Sequence, residues 1–239
     1  MNFFHAVNMT PAPTGAPATL VTSDLYVHLD FNDTACYPGS GSSITDLANS
    51  HSFSNTGATF VPASGSDSAY FDFDGVNDFI SSLRTHTKVL NSFTIGCWVN
   101  FDSSATNSGT MYAHERNSTT GIRFRLIPTA GELNPSCRLN GSNLELSYDV
   151  PADTWVYVVA GYTSGSQMEY YVNGVSVGNR SIGARTYNVT SERIIIGRRG
   201  YSTTNYFTGG IAVVHAYDTE LTAAQVLQNF NATKSNFGY

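Results

Sequence analysis

Four oxygen-bearing side chains lie within seven residues in the stretch FDFDGVNDFI: Asp72, Asp74, Asn77 and Asp78. Carboxylate, amide and carbonyl oxygens are the ligands that calcium takes in proteins, so Asp74, Asn77 and Asp78 form a candidate structural calcium site. The stretch does not fit an EF-hand loop, because its glycine comes two positions early and the twelfth position from Asp72 is a leucine. Calcium is the only cofactor that the sequence suggests.

A tight turn is the alternative interpretation of the same stretch, and the one that we favour. Asp74 and Gly75 can reverse the chain direction, while Asn77 and Asp78 bond back to their own backbone as Asx turns. Phe71 and Phe73 would then point into the core from the preceding strand.

Catalysis by paired carboxylates is a third alternative, and the spacing disfavours it. A retaining glycoside hydrolase needs two carboxyl groups about 5 to 5.5 Å apart. Asp72 and Asp74 share a strand face, but same-side positions are roughly 6.5 to 7 Å apart at the backbone. His114 begins the sequence HERNS, which lacks the second histidine of a zincin HExxH motif, and the six histidines are scattered along the chain. We therefore predict no catalytic residues and no enzymatic activity.

Composition excludes several classes of partner. Charged residues make up 13% of the 239 residues, and the formal charge of −6 includes only two lysines. No basic field is thus available for nucleic acid or an anionic membrane, and the adjacent pair Arg198-Arg199 is interpreted as a solvated strand end.

The N-terminus has no signal-peptide pattern, and no segment has membrane-spanning length. Cys36, Cys97 and Cys137 are predicted to be free, buried thiols.

The elements that must position these residues are mostly strands. Residues 1–24 contain three prolines among small residues and are predicted to form an extended N-terminal arm, with one domain over residues 25–239. The domain shows short runs of period-two alternation separated by turn residues, which is typical of an antiparallel β sandwich. Asn173-Gly174 is the strongest hairpin signal. Thr222 is predicted to cap one short C-terminal helix.

In the run SFTIGCWVNF the alternation places one set of residues on the core face and Trp98 on the other face. The core set is Phe93, Ile95, Cys97, Val99 and Phe101.

Four segments, in this order, resemble the laminin-G-like (LamG, concanavalin A-like) jelly roll. They are YFDFDGVNDFI, SFTIGCWVNF, DTWVYVVAGYTSGSQMEYYVNGVSVG and RIIIGRRGYSTTNYFTGGIAVVHAYDTELTAAQVLQNFNA. With the first strand they cover most of residues 24–232. The resemblance implies an all-β, antiparallel jelly-roll sandwich with one short C-terminal helix and an extended N-terminal arm.

The opening LVTSDLYVHLDFNDTACYPGSGSSITDL resembles LamG-type domains of tailed-phage structural proteins. The matching residues are Asp30, Asn32, Tyr37, Pro38, Gly39, Ser40, Gly41, Asp46 and Leu47. Ile44 stands where that pattern usually has tryptophan, so the copy is divergent.

This resemblance implies a non-enzymatic virion protein, assembled in the host cytoplasm as a capsid decoration or tail- or fibre-associated subunit. Its expected partners are other virion proteins and further copies of itself, with a trimer as the specific expectation. Neither nucleic acid nor membrane is an expected partner.

The alternative function is a glycan-binding module for adhesion or host-receptor recognition. Stacking aromatic faces and neutral hydrogen-bonding groups are the means of saccharide recognition, and the chain is rich in both. The chain has enough tyrosines for such a platform, although half of them are expected instead to fill the sandwich. The candidates are Tyr112, Tyr162, Tyr170, Tyr171, Tyr187, Tyr201 and Tyr206.

Overall fold

The structure, a computed structural model, describes residues 18–65, 67–129 and 131–239. Most of the predicted arm, residues 1–17, therefore lies outside the described part. The described strands are β1 (Leu25–Asp30), β2 (Ser43–Thr45), β3 (Ser52–Thr56), β4 (Thr59–Val61), β5 (Tyr70–Asp74), β6 (Phe79–Ser82), β7 (His86–Leu90), β8 (Ser92–Phe101), β9 (Gly109–Asn117), β10 (Thr120–Thr129), β11 (Glu132–Leu139), β12 (Ser142–Glu145), β13 (Val156–Thr163), β14 (Gln167–Val172), β15 (Val175–Ser181), β16 (Tyr187–Glu192), β17 (Ile195–Ile196) and β18 (Thr208–Tyr217). Helix α1 spans Ala223–Thr233, and a short 3-10 helix spans Lys234–Phe237.

These strands form two large sheets and one small one. Sheet I has the order β15-β14-β13-β8-β18-β5-β4, with β1 also paired to β18. Sheet II has the order β12-β11-β10-β9-β17-β6-β3-β2, and β16 pairs with β7 separately. The pairings given for the three sheets are antiparallel, which confirms the predicted all-β antiparallel sandwich.

The main core lies between sheets I and II and follows the period-two pattern of the sequence. The predicted core set of β8 is buried there, and so are Phe71 and Phe73 from β5, as expected. Trp98 faces the opposite side of sheet I, also as predicted. The three cysteines are buried and free.

A second apolar layer covers part of the outer face of sheet I. Thr222 accepts a hydrogen bond from the Gln225 backbone N–H, and the Gln225 side chain accepts one from Thr222, so a capping box starts α1. The ring of Trp98 stacks on Phe230 at 5.6 Å and on Phe237 at 4.0 Å. The C-terminal helices thus turn half of an outer sheet face into core.

The Asn173-Gly174 hairpin contacts this layer. Both residues have positive φ, 51° and 80°, as the predicted type I′ turn requires. A Cβ atom added to Gly174 would lie 2.9 Å from Cδ1 of Leu227, so the turn packs directly on α1.

The last residues of the predicted arm pack on the same helix. The backbone N–H of Val21 donates to Oδ1 of Asn229 at 2.9 Å, and the Val21 carbonyl accepts from the Tyr217 hydroxyl at 2.9 Å. Residues 18–24 therefore contact the domain, whereas the division of the whole chain at residue 24 stays a prediction. No helix in residues 18–239, as far as they are described, has both the length and the apolar character needed to cross a bilayer.

Candidate functional site

The stretch FDFDGVNDFI ends β5 in a tight turn. Oδ1 of Asp74 accepts the backbone N–H groups of Val76 at 2.8 Å and Asn77 at 3.3 Å, and Oδ2 of Asp78 accepts the N–H of Asp74 at 3.0 Å. Asp74, rather than Asn77, is therefore the residue that forms the Asx turn. Because these carboxylate oxygens already accept backbone N–H groups, we derive no role for a cation here, and the calcium site on Asp74, Asn77 and Asp78 stays a prediction.

A groove opens beside this turn, on the part of the outer face of sheet I that the C-terminal helices leave uncovered. Its floor is a row across three neighbouring strands, in which Gly210 of β18 is directly opposite Asp72 of β5 and Asn100 of β8. Neighbouring strands are about 4.8 Å apart, so Asp72 and Asn100 flank the glycine roughly 10 Å from each other. An open groove of about 230 Å³ lies over this row.

Two aromatic rings pack over the glycine floor of this groove: Tyr70 lines it, and Trp155 lies against Tyr70. The rings of Tyr70 and Trp155 meet edge to face at 5.1 Å, and both lie close above the glycine. A Cβ atom on Gly210 would be 2.8 Å from the Trp155 ring and 2.9 Å from the Tyr70 ring, so these rings occupy the space of a missing side chain. The C-terminal residues brace Trp155: its ring contacts Phe237 at 5.2 Å, and its carbonyl accepts from the Tyr239 hydroxyl at 2.9 Å.

The polar groups of the groove are mainly hydrogen-bond acceptors. Asp102 and Asp153 are fixed, since one oxygen of each accepts a backbone N–H, from Ser104 at 2.7 Å and from Ser103 at 3.0 Å. Within the described part of the chain, the side chains of Asp72 and Asn100 make no hydrogen bond, so both are available to a ligand. The described residues that line the groove include no lysine or arginine.

The pKa values of two groove carboxyls differ for physical reasons. Partial burial raises the pKa of Asp72, and the negative charges of Asp102 and Asp74 raise it further. Hydrogen bonds from Ser103 lower the pKa of Asp153. Across the described residues, no three His, Cys, Asp or Glu side chains are grouped so that they could hold a metal ion.

The aromatic residues of the groove are not those expected from the sequence. Five of the seven candidate platform tyrosines are buried, somewhat more than the half that was expected to fill the core: Tyr112, Tyr162, Tyr170, Tyr171 and Tyr187. Aromatic strand residues supply core volume, so these five cannot form a platform. The alternation of side chains along β5 could have indicated two residues of the groove. Because Phe71 and Phe73 face the core, Tyr70 and Asp72 must both lie on the outer face of the sheet.

The histidines are also arranged differently from the expectation. Rather than being scattered, His51, His86 and His114 form a continuous buried row, with ring centroids 4.8 Å and 6.3 Å apart along it. Burial lowers the pKa of both His86 and His114 to about 4. Tyr26 contacts His86, with its hydroxyl 2.5 Å from Nδ1. None of the three lines the groove, and the row is part of the interior packing.

Solved structures with a similar fold include domain 4 of AbnA, a GH43 extracellular arabinanase from Geobacillus stearothermophilus, in complex with arabinotriose. It is 15% identical, with 87% of this chain and 98% of that one covered and a TM-score of 0.61. A heptameric SAP-like pentraxin from Limulus polyphemus is 17% identical, and the match covers 69% of this chain and 82% of the pentraxin chain, with a TM-score of 0.55. The receptor-binding domain of botulinum neurotoxin type G is 13% identical, and the match covers 87% of this chain and 51% of the neurotoxin chain, with a TM-score of 0.62.

At these identities the similarities show the fold alone, and the chain spans about half the length of the neurotoxin structure. No curated protein sequence matches the chain. The family model described as the concanavalin A-like lectin/glucanases superfamily, Laminin_G_3, matches residues 66–227, which include every residue of the groove. The match covers more than half of the sequence, and the chain therefore belongs to this family.

Proposed function

We propose that the chain is a non-enzymatic carbohydrate-binding domain, and that the groove over Gly210 binds a neutral saccharide. The observation that carries the proposal is the juxtaposition, on one glycine floor, of two aromatic rings with a carboxylate and an amide whose side chains make no hydrogen bond to the described residues. Sugars offer an apolar C–H face and a rim of hydroxyl groups, and this combination of side chains complements both.

In the proposed complex, the sugar lies with its C–H face against Trp155 or Tyr70. The edge-to-face contact holds the two rings at 69° to each other, so they form a fixed corner. Asp72 would accept hydrogen bonds from hydroxyl groups, and Asn100 can both donate and accept. Hydrogen bonds to an ionised carboxylate are the stronger ones, which makes Asp72 the principal polar contact.

The charge of the groove favours an uncharged ligand. Asp72, Asp102 and Asp153 surround it, and no cationic side chain is among its described lining residues. An anionic sugar placed there would be repelled by these carboxylates at short range. We therefore assign the groove to neutral hexoses or pentoses rather than to acidic sugars.

Similar structures support a saccharide ligand. One is described as an arabinanase domain in complex with arabinotriose, and another as a botulinum neurotoxin type C whose cell entry depends on interaction with two ganglioside molecules. Those ligands belong to those proteins. This chain matches about half of the neurotoxin structure, and we transfer only the ligand class to this chain.

The test is a glycan array followed by calorimetric titration with the best neutral ligand. Trp155→Ala should weaken binding about tenfold or more, because it removes the larger stacking surface. The matched control is Tyr206→Ala, a half-buried aromatic outside the groove, which should bind like the wild type. If no neutral glycan binds, or if Trp155→Ala binds as tightly as the wild type, the groove is not the site.

A virion structural role is the second candidate, supported by the resemblance of the opening segment to LamG-type domains of tailed-phage proteins. We propose that the chain would then act as a capsid decoration or tail- or fibre-associated subunit, as a homo-oligomer such as a trimer. A receptor-binding groove is compatible with that setting. Deleting residues 1–17 tests the role: loss of incorporation into particles is expected, and normal incorporation of the truncated chain would contradict assembly through the arm.

A further inference from the structure

The outer face of sheet II carries a cluster of arginines. Arg123 and Arg125 alternate with core residues along β10, so both point away from the core. Arg123 is directly opposite Arg138 of β11, and Arg125 is directly opposite Ser136. Opposite residues of antiparallel strands have Cα atoms about 4.5 to 5.5 Å apart, so three guanidinium groups share a small area. We call Arg123, Arg125, Arg138 and the nearby Arg199 the arginine face.

Arg123 is the least compensated member of this face. Its side chain is only 1% exposed, and within the described residues its Nε and Nη1 atoms have no hydrogen-bond partner. The nearest carboxylate, Glu115, is 3.9 Å from Nη1, beyond hydrogen-bond distance. Burial lowers the pKa of Arg123 to about 10, although Glu115 acts in the opposite direction. A buried cation without partners is costly, and an anion nearby would reduce that cost.

The carboxylates on this face neutralise only part of its charge. Oε2 of Glu115 accepts the backbone N–H of Gly200 at 3.3 Å, and Oε1 of Glu145 accepts from Asn134 at 3.2 Å, and within the described residues neither accepts a hydrogen bond from an arginine of the face. Arg125 and Arg199 each keep a buried Nε without a partner in the described structure. The arginine face therefore combines four guanidinium groups with two carboxylates.

We propose that the arginine face binds the carboxylate or sulfate groups of an acidic polysaccharide. A planar guanidinium offers paired N–H donors that match the two oxygens of such a group. Arg125, Arg138 and Arg199 are half-buried members that a ligand can reach, although Nη2 of Arg138 also donates to the Ser118 carbonyl. Their contact with an oxyanion would also compensate Arg123 beneath them. This site goes beyond the neutral groove, which lies on the other sheet and excludes acidic sugars.

A polysaccharide fits this face better than nucleic acid does. The whole chain carries a formal charge of −6, so it has no long-range field that attracts a densely charged backbone. Glu115 and Glu145 lie within the face and would oppose closely spaced phosphates, whereas an acidic sugar polymer presents isolated anionic groups between hydroxyls. Recognition would then depend on the paired hydrogen bonds of a few guanidinium groups.

The test measures binding of the full chain to κ-carrageenan, polygalacturonate and double-stranded DNA, at low salt and with rising NaCl. At least one of the two acidic polysaccharides should bind more tightly than DNA does, and the preferred one identifies sulfate or carboxylate as the ligand group. Arg125→Gln with Arg138→Gln should weaken that binding at least about tenfold, because two charge-assisted contacts are lost. Arg125→Lys with Arg138→Lys, which keeps the charge and removes the planar fork, should fall between this variant and the wild type.

Two controls separate the site from general charge and from the groove. Arg185→Gln with Arg193→Gln changes the net charge equally at two exposed positions outside the face, and should bind like the wild type. Trp155→Ala should also leave polyanion binding unchanged, so the two sites can fail independently. The proposal is overturned if neither polysaccharide binds at low salt, if both arginine-to-glutamine pairs lose affinity equally, or if DNA binds as tightly as the polysaccharides.

Discussion

The chain has two tryptophans, Trp98 and Trp155, and they lie in two different regions at the outer face of sheet I. Trp98 is fully buried, stacked between Phe230 and Phe237, and its Nε1 donates to Thr233 at 2.7 Å. Trp155 is half-buried and packs against Tyr70, which lines the open groove. The same sheet surface thus becomes core where the C-terminal helices cover it and a candidate binding site where they do not.

Two glycines mark the same division. Gly96 of β8 makes room for the buried Tyr157 under the helices, and Gly210 of β18 makes room for the rings of the groove. In each region a missing side chain is filled by an aromatic ring from a neighbouring position. The difference is that Tyr70 and Trp155, over Gly210, are only half-buried, whereas Tyr157 is fully buried. A ligand could therefore contact the rings over Gly210 but not the ring over Gly96.

Trp98→Ala gives the largest expected effect. It should lower the free energy of unfolding by about 3 to 5 kcal/mol, because the ring is fully enclosed and its removal leaves a cavity. Trp155→Ala should cost only about 1 kcal/mol, since the site is partly solvated. Urea denaturation followed by circular dichroism measures both. Equal losses for the two variants would remove the distinction between a covered and an open region.

Adding a single methyl group to each glycine sharpens the comparison. A Cβ at position 96 would lie 2.5 Å from the buried Tyr157 hydroxyl, so Gly96→Ala should destabilise the fold by about 1 to 3 kcal/mol. A Cβ at position 210 would displace the braced rings of Trp155 and Tyr70. Gly210→Ala should therefore also destabilise the fold but, unlike Gly96→Ala, weaken neutral-saccharide binding several-fold, as titration calorimetry would show. Equal weakening of saccharide binding by the two substitutions would contradict the proposed groove.

The smallest expected effect is a pH dependence carried by Asp72. Its raised pKa means that affinity for a neutral saccharide should fall as the pH is lowered through a midpoint above the ordinary value of 3.8, because the protonated carboxyl is a weaker acceptor. The folded state binds this proton more tightly than the unfolded state, so the contribution of Asp72 to the free energy of unfolding rises as the pH is lowered through the same range. Titrations at several pH values should show the decline in the wild type, and Asp72→Asn should abolish it.

Local rules were sufficient for much of the fold. The alternation in β8, the Asn173-Gly174 turn and the cap at Thr222 each depend on residues close together in sequence, and each was predicted correctly. The groove depends instead on the register between β5, β18 and β8, which brings Asp72, Gly210 and Asn100 together from distant parts of the chain. No single-sequence pattern contains that register.

The same reason explains why the sequence did not separate buried tyrosines from exposed ones and did not predict the arginine face. An aromatic residue on a strand fits core and surface equally well until the facing layer is known. Arg123 and Arg125 have the spacing of one strand face, but their meeting with Arg138 depends on the pairing of β10 with β11. Adjacent basic residues were a poor guide: Nη1 of Arg198 donates to the carbonyls of Arg199 and Ser202 within its own loop.

The hydrogen bond from Tyr239 to the Trp155 carbonyl links the groove to the carboxyl-terminal residues. The same hydroxyl accepts a hydrogen bond from Asn173 at 3.1 Å, at the hairpin that packs on α1. Removal of residues 237–239 would therefore release Trp155 from its contacts with Phe237 and Tyr239, without changing any residue that lines the groove. The proposed saccharide site is in this way sensitive to a segment outside it, while most of the β sandwich remains intact.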